Sequence, residues 1–199
     1  MQTSENYQRI YGNYWRTIDA LIAKLILSHI KEGDSVLEAG FASGQYLAYL
    51  SDAGVKVSGI EIRKDAFEKT KDSFKRDYSK IELLQGDVLD LNNSYSLIYS
   101  TGVIQCLPEK KRSQFLHHIS KMSDKVVYTV PRLEEMRNLG SKEAVAVAGC
   151  TEYQTGTIAY ELSGVYGYVE TGIWEKQDTG IEDDFQWFYC DYSRNFSQR

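Results

Sequence analysis

The arrangement of apolar and polar positions predicts a chain of alternating helices and strands. Apolar side chains recur at helical spacing from Ile18 to Leu25, and Gly33 ends this segment, so we predict a helix over roughly residues 14–31. The apolar run Ser35–Ala39 that follows is short and bounded by glycines, which is typical of a buried strand.

The alternation continues as far as Pro131. Four further strands are predicted, at residues 55–60, 81–84, 95–100 and 125–130. Three helices are predicted between them, at residues 45–53, 64–78 and about 109–123. Strands that alternate with helices form a parallel sheet with helices on both faces, so the chain is predicted to be an α/β protein.

Beyond Pro131 the pattern is less regular. Residues 132–138 and part of 141–165 are predicted to be helical, whereas 167–176 and 185–192 are predicted to be strands. Two closing strands after five parallel ones predict an antiparallel hairpin at one edge. The predicted fold class is therefore a three-layer Rossmann-like α/β sandwich, with a mostly parallel seven-stranded sheet and an antiparallel hairpin at its C-terminal edge.

Composition limits the classes of partner. The chain has 199 residues, enough for one domain with a sizeable core. The longest apolar stretch, Ala20–Ile30, is interrupted by Lys24 and is shorter than the ~20 residues of a membrane span. A net charge of −5 and a pI near 5.3 do not suit a protein that neutralises phosphates. We therefore expect neither a membrane nor a nucleic acid as a partner.

The first residues show neither the basic part nor the apolar part of a secretory signal. The three cysteines, Cys106, Cys150 and Cys190, lie far apart and form no CxxC pair. This spacing favours a reducing compartment over a disulfide framework, so we expect a cytoplasmic protein. We expect a monomer or a homodimer, and we predict no metal site.

One segment indicates a binding site. Val36–Gln45 runs from a predicted strand through a glycine-rich turn into a predicted helix. This geometry exposes backbone N–H groups at a helix N-terminus, where anionic and carboxylate groups bind. Gly40 and Gly44 allow a ligand to approach the backbone closely. A simpler interpretation, in which the glycines only tighten a strand–helix turn, stays open at this point.

Acidic residues follow the next two strands. Glu61 ends the second predicted strand, 21 residues after Gly40, where a carboxylate can accept both hydrogen bonds of a ribose diol. The alternative is a surface carboxylate paired with Arg63 or Lys64. Asp87 falls just past the third predicted strand. Ligands of open α/β sheets bind at the carboxyl ends of the strands, so these residues are expected to share one site.

Together these motifs resemble those of the class I S-adenosylmethionine-dependent methyltransferases. Val36–Gly44 is similar to their first motif, an acidic residue followed by Gly-x-Gly-x-Gly. Glu61 is similar to their ribose-binding acid, and Asp87 with the residue after it to their adenine-binding pair. Ser100–Pro108 is similar to the segment after strand four in the small-molecule branch. The resemblance covers about residues 34–131.

The resemblance implies one domain over residues 1–199 that binds S-adenosylmethionine and transfers its methyl group to a small molecule or a peptide side chain. Residues 1–33 would form an N-terminal helical cap, 34–131 the cofactor-binding core, and 132–199 the substrate-side helices and closing strands. The implied cofactor-binding residues are Glu38, Gly40, Phe41, Ala42, Gly44, Glu61, Ile62, Asp87, Val88, Ser100 and Thr101.

The implied roles follow the cofactor from end to end. The loop Gly40–Gly44 would line the methionine part, and Glu38 would order that loop and meet the amino group. Glu61 and Ile62 would hold the ribose and flank the adenine. Asp87 would accept a hydrogen bond from the adenine amino group, and the N–H of the next residue would donate to the ring. Ser100 and Thr101 would face the cofactor from strand four.

The sequence departs from the family pattern at two positions. Ala42 stands where the first motif has its middle glycine, and Cys106 stands where a histidine is often found after strand four. These departures favour an alternative function, a catalytically idle module that binds the cofactor or a partner without turnover. A second alternative, an NAD(P)-binding Rossmann protein, requires a third glycine where this chain has Gln45.

Aromatic residues before the first strand are expected near the substrate, because the resemblance implies that this segment lies over the cofactor pocket. The alternative is that these rings attach the N-terminal helix to the sheet. Two histidines, His117 and His118, lie roughly 15 Å along a predicted helix from the strand end, so we expect structural roles for them. The predicted substrate-side residues are Tyr7, Tyr11, Trp15, Arg132 and Tyr153, and the candidates for catalysis are Tyr11 and Glu134.

Overall fold

The computed structural model describes residues 4–11, 17–131, 155–175 and 185–192. Within these ranges the chain forms one sheet flanked by helices. The strands are β1 (Ser35–Ala39), β2 (Lys56–Glu61), β3 (Glu82–Gln85), β4 (Leu97–Thr101), β5 (Lys125–Pro131), β6 (Tyr168–Trp174) and β7 (Phe185–Asp191). The α-helices are α1 (Glu5–Tyr11), α2 (Thr17–Ser28), α3 (Gln45–Asp52), α4 (Lys64–Phe74), α5 (Glu109–Met122) and α6 (Thr155–Val165). None of these helices is both long and apolar enough to cross a membrane.

The described strands form a seven-stranded sheet in the order β3-β2-β1-β4-β5-β7-β6. The strands β1 to β5 pair in parallel. Strand β7 is antiparallel to both of its neighbours, β5 and β6. The hairpin of β6 and β7 therefore lies at the edge of the sheet, and the Rossmann-like α/β fold class expected from the sequence is confirmed.

Side chains of the central strands alternate between two core clusters, one on each face of the sheet. On β1, Val36 belongs to a cluster with residues of α1, α2, α3 and α4. Its neighbour Leu37 belongs to a second cluster with residues of α5 and α6. We refer to these as the α1–α4 face and the α5–α6 face. The helices thus cover both faces and complete the three layers.

The ends of several elements differ from the prediction. Helix α4 ends at Phe74 rather than at Tyr78, yet Tyr78 remains buried and its N–H donates to the Phe74 carbonyl at 3.0 Å. A turn thus continues the apolar face of α4 after the helix has ended. Of the first predicted helix, Thr17–Ser28 is described, and residues 12–16 lie outside the described ranges. The helix predicted at 132–138 also lies outside them.

A buried ion pair joins the two helices of the α5–α6 face. The Arg112 side chain on α5 is 5% exposed, and its Nε and Nη2 groups donate to the Glu161 carboxylate on α6 at 2.6 and 2.8 Å. Its Nη1 group donates to the Leu107 carbonyl at 2.9 Å. This bidentate geometry is the strong form of an arginine–carboxylate pair. It fixes the segment before α5 as well as the position of α6.

We expect Arg112→Ala to lower the free energy of unfolding by about 2–3 kcal/mol. Removing one partner leaves a partly buried carboxylate without its cation, and Glu161 regains only part of its hydration. Urea unfolding followed by circular dichroism measures the loss. The matched control is Lys110→Ala, at an exposed position on the same helix, for which we expect less than about 0.5 kcal/mol. An equal effect of the two substitutions would contradict the role given to the ion pair.

Candidate active site

The loop between β1 and α3 contains three residues in the left-handed region of backbone conformation. They are Gly40, Ala42 and Gly44, with φ values of 85°, 46° and 71°. A Cβ atom at Gly40 would lie 2.5 Å from a methyl of Val103, and one at Gly44 would lie 2.7 Å from the methyl of Thr70. Glycine is therefore required at both positions for two reasons: the backbone conformation is left-handed, and the neighbouring side chains leave no room for a Cβ atom.

Ala42 takes a conformation that costs an L-residue roughly 1–2 kcal/mol. Two hydrogen bonds hold it there. Its N–H donates to Oε2 of Glu61 at 2.8 Å, and its carbonyl accepts from the Thr70 hydroxyl at 2.9 Å. The loop thus keeps a left-handed turn at the position where the family motif has a glycine.

Glu61 links the ends of two strands. Its side chain is 5% exposed, and besides the bond from Ala42, its Oε1 accepts from the backbone N–H of Arg63 at 2.9 Å. The Arg63 side chain lies within ion-pair distance, with Nε at 3.6 Å. A carboxylate offers about four lone-pair sites, so these bonds leave capacity for a ligand. The role of Glu61 in fixing the loop was not predicted from the sequence.

An apolar cavity of about 130 Å³ opens beside the loop on the α5–α6 face. Its charged lining residues are Asp87, whose Oδ1 accepts from the Leu89 N–H at 3.0 Å, and Lys111. The cavity brings together four residues predicted to bind the cofactor, Gly40, Ile62, Asp87 and Val88. Its other walls include Val103, Leu107, Lys111 and Phe115, which the sequence analysis did not identify.

Glu38 lies on the opposite, α1–α4 side of β1. Its carboxylate accepts a hydrogen bond from the Tyr99 hydroxyl at 2.8 Å, and the side chain is almost completely buried. Burial raises the pKa of Glu38 well above its ordinary value, the Tyr99 hydrogen bond opposes this, and the nearby Glu61 carboxylate adds to it. The net effect favours the neutral carboxyl in the folded protein.

Two residues predicted to line the cofactor site point into the protein instead. Phe41 is 3% exposed and packs so closely over Gly59 that a Cβ there would lie 2.6 Å from its ring. The hydroxyl of Ser100 is buried and donates to the Ala39 carbonyl at 2.9 Å, so it joins β4 to β1. Thr101, the last residue of β4, is partly exposed at the carboxyl edge of the sheet.

The aromatic residues of α1 attach this helix to the loop. Tyr7, expected on the substrate side, is fully buried and its ring lies 4.7 Å from that of Tyr11 and 6.5 Å from that of Tyr49. The Tyr11 hydroxyl donates to the Ser43 carbonyl at 2.6 Å, and burial raises its pKa. The other predicted substrate-side residues, Trp15, Arg132 and Tyr153, and the catalytic candidate Glu134 lie outside the described ranges.

A buried polar contact joins α2 to the start of α3, where the same loop ends. Asp19 on α2 is fully buried and accepts hydrogen bonds from the Tyr46 hydroxyl at 2.7 Å and from the Gln45 amide at 3.1 Å. Both partners lie at the start of α3, directly after the loop. The sequence signal for this contact was one acidic residue among the apolar positions of a predicted helix, and the sequence analysis did not use it.

The histidines of α5 make contacts away from the cavity. The His118 ring Nε2 lies 2.8 Å from the Leu91 carbonyl, and the His117 Nδ1 lies 2.9 Å from the Ser113 carbonyl of the preceding turn. These contacts agree with the structural roles expected for both residues.

A family model matches the central part of the chain. Residues 36–125 match a family described as a methyltransferase domain. The match runs from β1 to the start of β5. This match confirms the resemblance to class I methyltransferases that the motifs at Val36–Gly44 and Asp87 predicted, and it covers the strands and loops around the cavity. Curated protein sequences give no match.

Solved structures share the methyltransferase fold at low sequence identity. Magnesium protoporphyrin IX methyltransferase from Synechocystis PCC 6803, with bound SAH, is 16% identical, with a TM-score of 0.68 and 94% of each chain covered. A TehB-like SAM-dependent methyltransferase from Corynebacterium glutamicum is 20% identical, with a TM-score of 0.61 and coverage of 85% and 86%. Phosphoethanolamine N-methyltransferase 2 from Haemonchus contortus is 13% identical, with a TM-score of 0.73. The superposition covers 95% of this chain and 56% of that chain.

Ala42→Gly is expected to raise the free energy of unfolding of the protein by about 0.5–1 kcal/mol. Glycine removes the strain of the left-handed conformation, and the gain is partly offset by the greater entropy of the unfolded chain. Thermal and urea unfolding measure the change. Ala53→Gly is the matched control because Ala53 is exposed and has an ordinary φ of −78°. A loss of stability in Ala42→Gly as large as that in Ala53→Gly would contradict the strain at Ala42.

Glu38→Gln is expected to flatten the dependence of stability on pH. A raised pKa in the folded state means that the folded protein binds more protons than the unfolded chain above the ordinary glutamate pKa of about 4.3. The contribution of Glu38 to stability is therefore present at low pH and is lost as the pH rises towards the raised value. Unfolding measured between about pH 5 and pH 8 should show a smaller decline in Glu38→Gln than in the wild type. Parallel curves for the two proteins would contradict the burial of a neutral carboxyl.

Proposed function

We propose that this chain binds S-adenosylmethionine at the carboxyl edge of β1, β2 and β3 and transfers its methyl group to an acceptor. The observation that carries the proposal is the convergence of three strand ends on one apolar cavity. Gly40 after β1, Ile60 and Ile62 at the end of β2, and Asp87 after β3 line this cavity. Glu61 lies between the two isoleucines in sequence, and its carboxylate accepts from the Ala42 N–H. Ligands of open α/β sheets bind at this edge.

The residues of the site fit the chemistry of this cofactor. The apolar cavity suits a purine ring, and the carboxylate of Asp87 at its wall suits an exocyclic amino group. Asp87 and Val88 would hold the adenine, Glu61 would accept from the ribose hydroxyls, and the left-handed loop from Gly40 to Gly44 would follow the methionine part. Glu38, next to that loop, would meet the amino group, and because burial raises its pKa, binding of an ammonium there would be coupled to loss of the Glu38 proton.

When bound, S-adenosylmethionine supplies a methyl group already activated by its sulfonium. The residues of this chain then need to orient the acceptor and exclude water rather than to generate an electrophile. Tyr11 contributes to this by holding α1 against the loop through the Ser43 carbonyl. His117 and His118 bind backbone carbonyls, and the His29 ring stacks on Tyr189 at 3.6 Å. The proposal therefore gives no general-base role to a histidine.

Small molecules are the proposed class of acceptor. The names of structural neighbours include acceptors as different as magnesium protoporphyrin IX and phosphomonomethylethanolamine, both of them small molecules. A peptide side chain remains the second possibility. We further propose that the protein acts in the cytoplasm, as a monomer or homodimer, without nucleic-acid or membrane partners; its net charge of −5 supports the exclusion of nucleic acid.

The alternative of a catalytically idle module rests on Ala42 and on Cys106 in place of a histidine. In this structure Ala42 adopts the left-handed conformation that glycine favours, so the substitution leaves the path of the loop intact. Ala42 therefore gives no reason to prefer the idle module, and Cys106 is the feature on which that alternative rests.

Glu61→Ala is expected to weaken binding of S-adenosylhomocysteine by about ten- to a hundredfold, because a charge-assisted pair of hydrogen bonds to the ribose contributes about 1.5–3 kcal/mol. Isothermal titration calorimetry measures the affinity, and thermal unfolding of the free protein reports the separate loss of the loop contacts to Ala42 and Arg63. Glu68→Ala, at an exposed position on α4, is the control and should bind normally. Failure of the wild type to bind, or unchanged affinity in Glu61→Ala, would contradict the proposed site.

A further inference from the structure

A second cavity, separate from the proposed cofactor site, lies between α4 and β3. Its volume is about 320 Å³, compared with about 130 Å³ for the cofactor cavity, and the two cavities share no lining residue. This volume is at the lower end of the range of about 300–1,000 Å³ that is usual for small-molecule sites. We call it the α4 cavity. A cavity of this size can hold a small organic molecule.

The α4 cavity lies on the α1–α4 face of the sheet, near the amino end of β3. Three lining residues of α4, Phe67, Lys71 and Phe74, are spaced by four and three positions and therefore share one side of the helix. Leu83 of β3 packs against the core cluster of the α1–α4 face and forms the wall on the side of the sheet. Because β3 is the outermost strand of the sheet that the structure describes, no further strand covers this side of the cavity.

The aromatic walls of the α4 cavity are held in place by contacts outside it. A Cβ atom at Gly44 would lie 2.8 Å from the Phe74 ring, so this ring packs against the loop after β1. The Tyr78 ring lies 5.0 Å from that of Phe74, and its hydroxyl donates to the Asp52 carboxylate at 2.8 Å. Phe67, the third ring of the wall, is buried as well. Walls that are fixed before a ligand arrives lower the entropy lost on binding.

The charged residues of the lining are Lys71 and Lys75, and no carboxylate is among the described residues that line the cavity. The Lys71 ammonium lies 5.4 Å from the centroid of the Phe67 ring, a cation–π contact that places it over one wall. The Lys75 ammonium lies 2.6 Å from the Asp72 carboxylate, but both side chains are largely exposed, so water screens this pair. An ammonium has three donors and can bind a further anion. The lining is thus positively charged in a chain whose net charge is −5.

We propose that the α4 cavity binds a monocarboxylate with an apolar body. The body packs against the rings of Phe67 and Phe74 and the side chain of Leu83, and the carboxylate lies between the two lysines. Hydrogen bonds between an ammonium and a carboxylate are stronger than those between neutral groups, so the lining selects an anion over a neutral molecule of the same shape. This site goes beyond the proposed methyl transfer and does not depend on it, because the two cavities have separate linings.

The test titrates octanoate and 4-phenylbutyrate into the full-length, ¹⁵N-labelled protein and follows the backbone amides by NMR. The matched probes are octan-1-ol and 4-phenylbutan-1-ol, which keep the apolar body and lack the charge. We expect saturable binding of both carboxylates, with chemical-shift changes centred on residues 67–83. Each alcohol should bind about tenfold more weakly than its carboxylate, since it lacks the charge-assisted contact.

Charge variants connect this selectivity to the two lysines. The double variant with Lys71→Gln and Lys75→Gln should bind octanoate about tenfold more weakly than the wild type and should bind octan-1-ol as the wild type does. The control is the double variant with Lys64→Gln and Lys69→Gln, which makes the same change in net charge at exposed positions of α4 outside the lining. This control should bind octanoate normally.

A bulky side chain at the rim tests the location of the site. Ser79 lines the cavity and is exposed, so Ser79→Trp should block octanoate without disturbing the core. The control is Ser73→Trp, at an exposed position of α4 outside the lining, which should leave binding unchanged. Thermal unfolding of both variants shows whether they keep the fold.

Absence of saturable carboxylate binding by the wild type would overturn the inference, as would shift changes centred on the cofactor segments Gly40–Gly44 and Gly86–Leu89. Equal affinity for octanoate and octan-1-ol, or equal effects of the two lysine double variants, would overturn the proposed class of ligand. Titration of S-adenosylhomocysteine into the same protein tests the proposed function separately, so that either proposal can fail without the other.

Discussion

The hydrogen bond from the Ala42 N–H to the Glu61 carboxylate holds the loop on which the rest of the site depends. It joins the turn after β1 to the end of β2 and stabilises a left-handed conformation that an alanine adopts only at a cost. The same carboxylate also binds the N–H of Arg63, so one buried side chain fixes both strand exits. A ribose that binds Glu61 would therefore meet a group whose position is already fixed, which lowers the entropy lost on binding.

The two parts of the proposed cofactor site lie on opposite faces of the sheet. The apolar cavity with Asp87 lies on the α5–α6 face, whereas Glu38 contacts Tyr99 on the α1–α4 face. The loop at Gly40 lies between them. A cofactor that follows this loop would bring its adenine to one face and its methionine part towards the other.

The sequence was sufficient to predict the parallel strands and the meeting of Gly40, Glu61 and Asp87 at one edge, because parallel strands place all of their carboxyl ends together. It was not sufficient to assign side chains to faces. Phe41 and Ser100 were expected to line the cofactor, whereas in the structure the Phe41 ring packs against Gly59 and the Ser100 hydroxyl donates to the Ala39 carbonyl, contacts that no local pattern contains. Walls supplied by distant segments, such as Val103 and Lys111, depend on tertiary packing that no local pattern contains.

Hydrogen–deuterium exchange with and without S-adenosylhomocysteine tests the central claim most directly, because it reports the location of the cofactor without any substitution. The account predicts slower exchange of backbone amides in three segments, Gly40–Gly44, Glu61–Arg63 and Gly86–Leu89. No protection in these segments, or protection confined to another part of the chain, would contradict the assignment of the cofactor site.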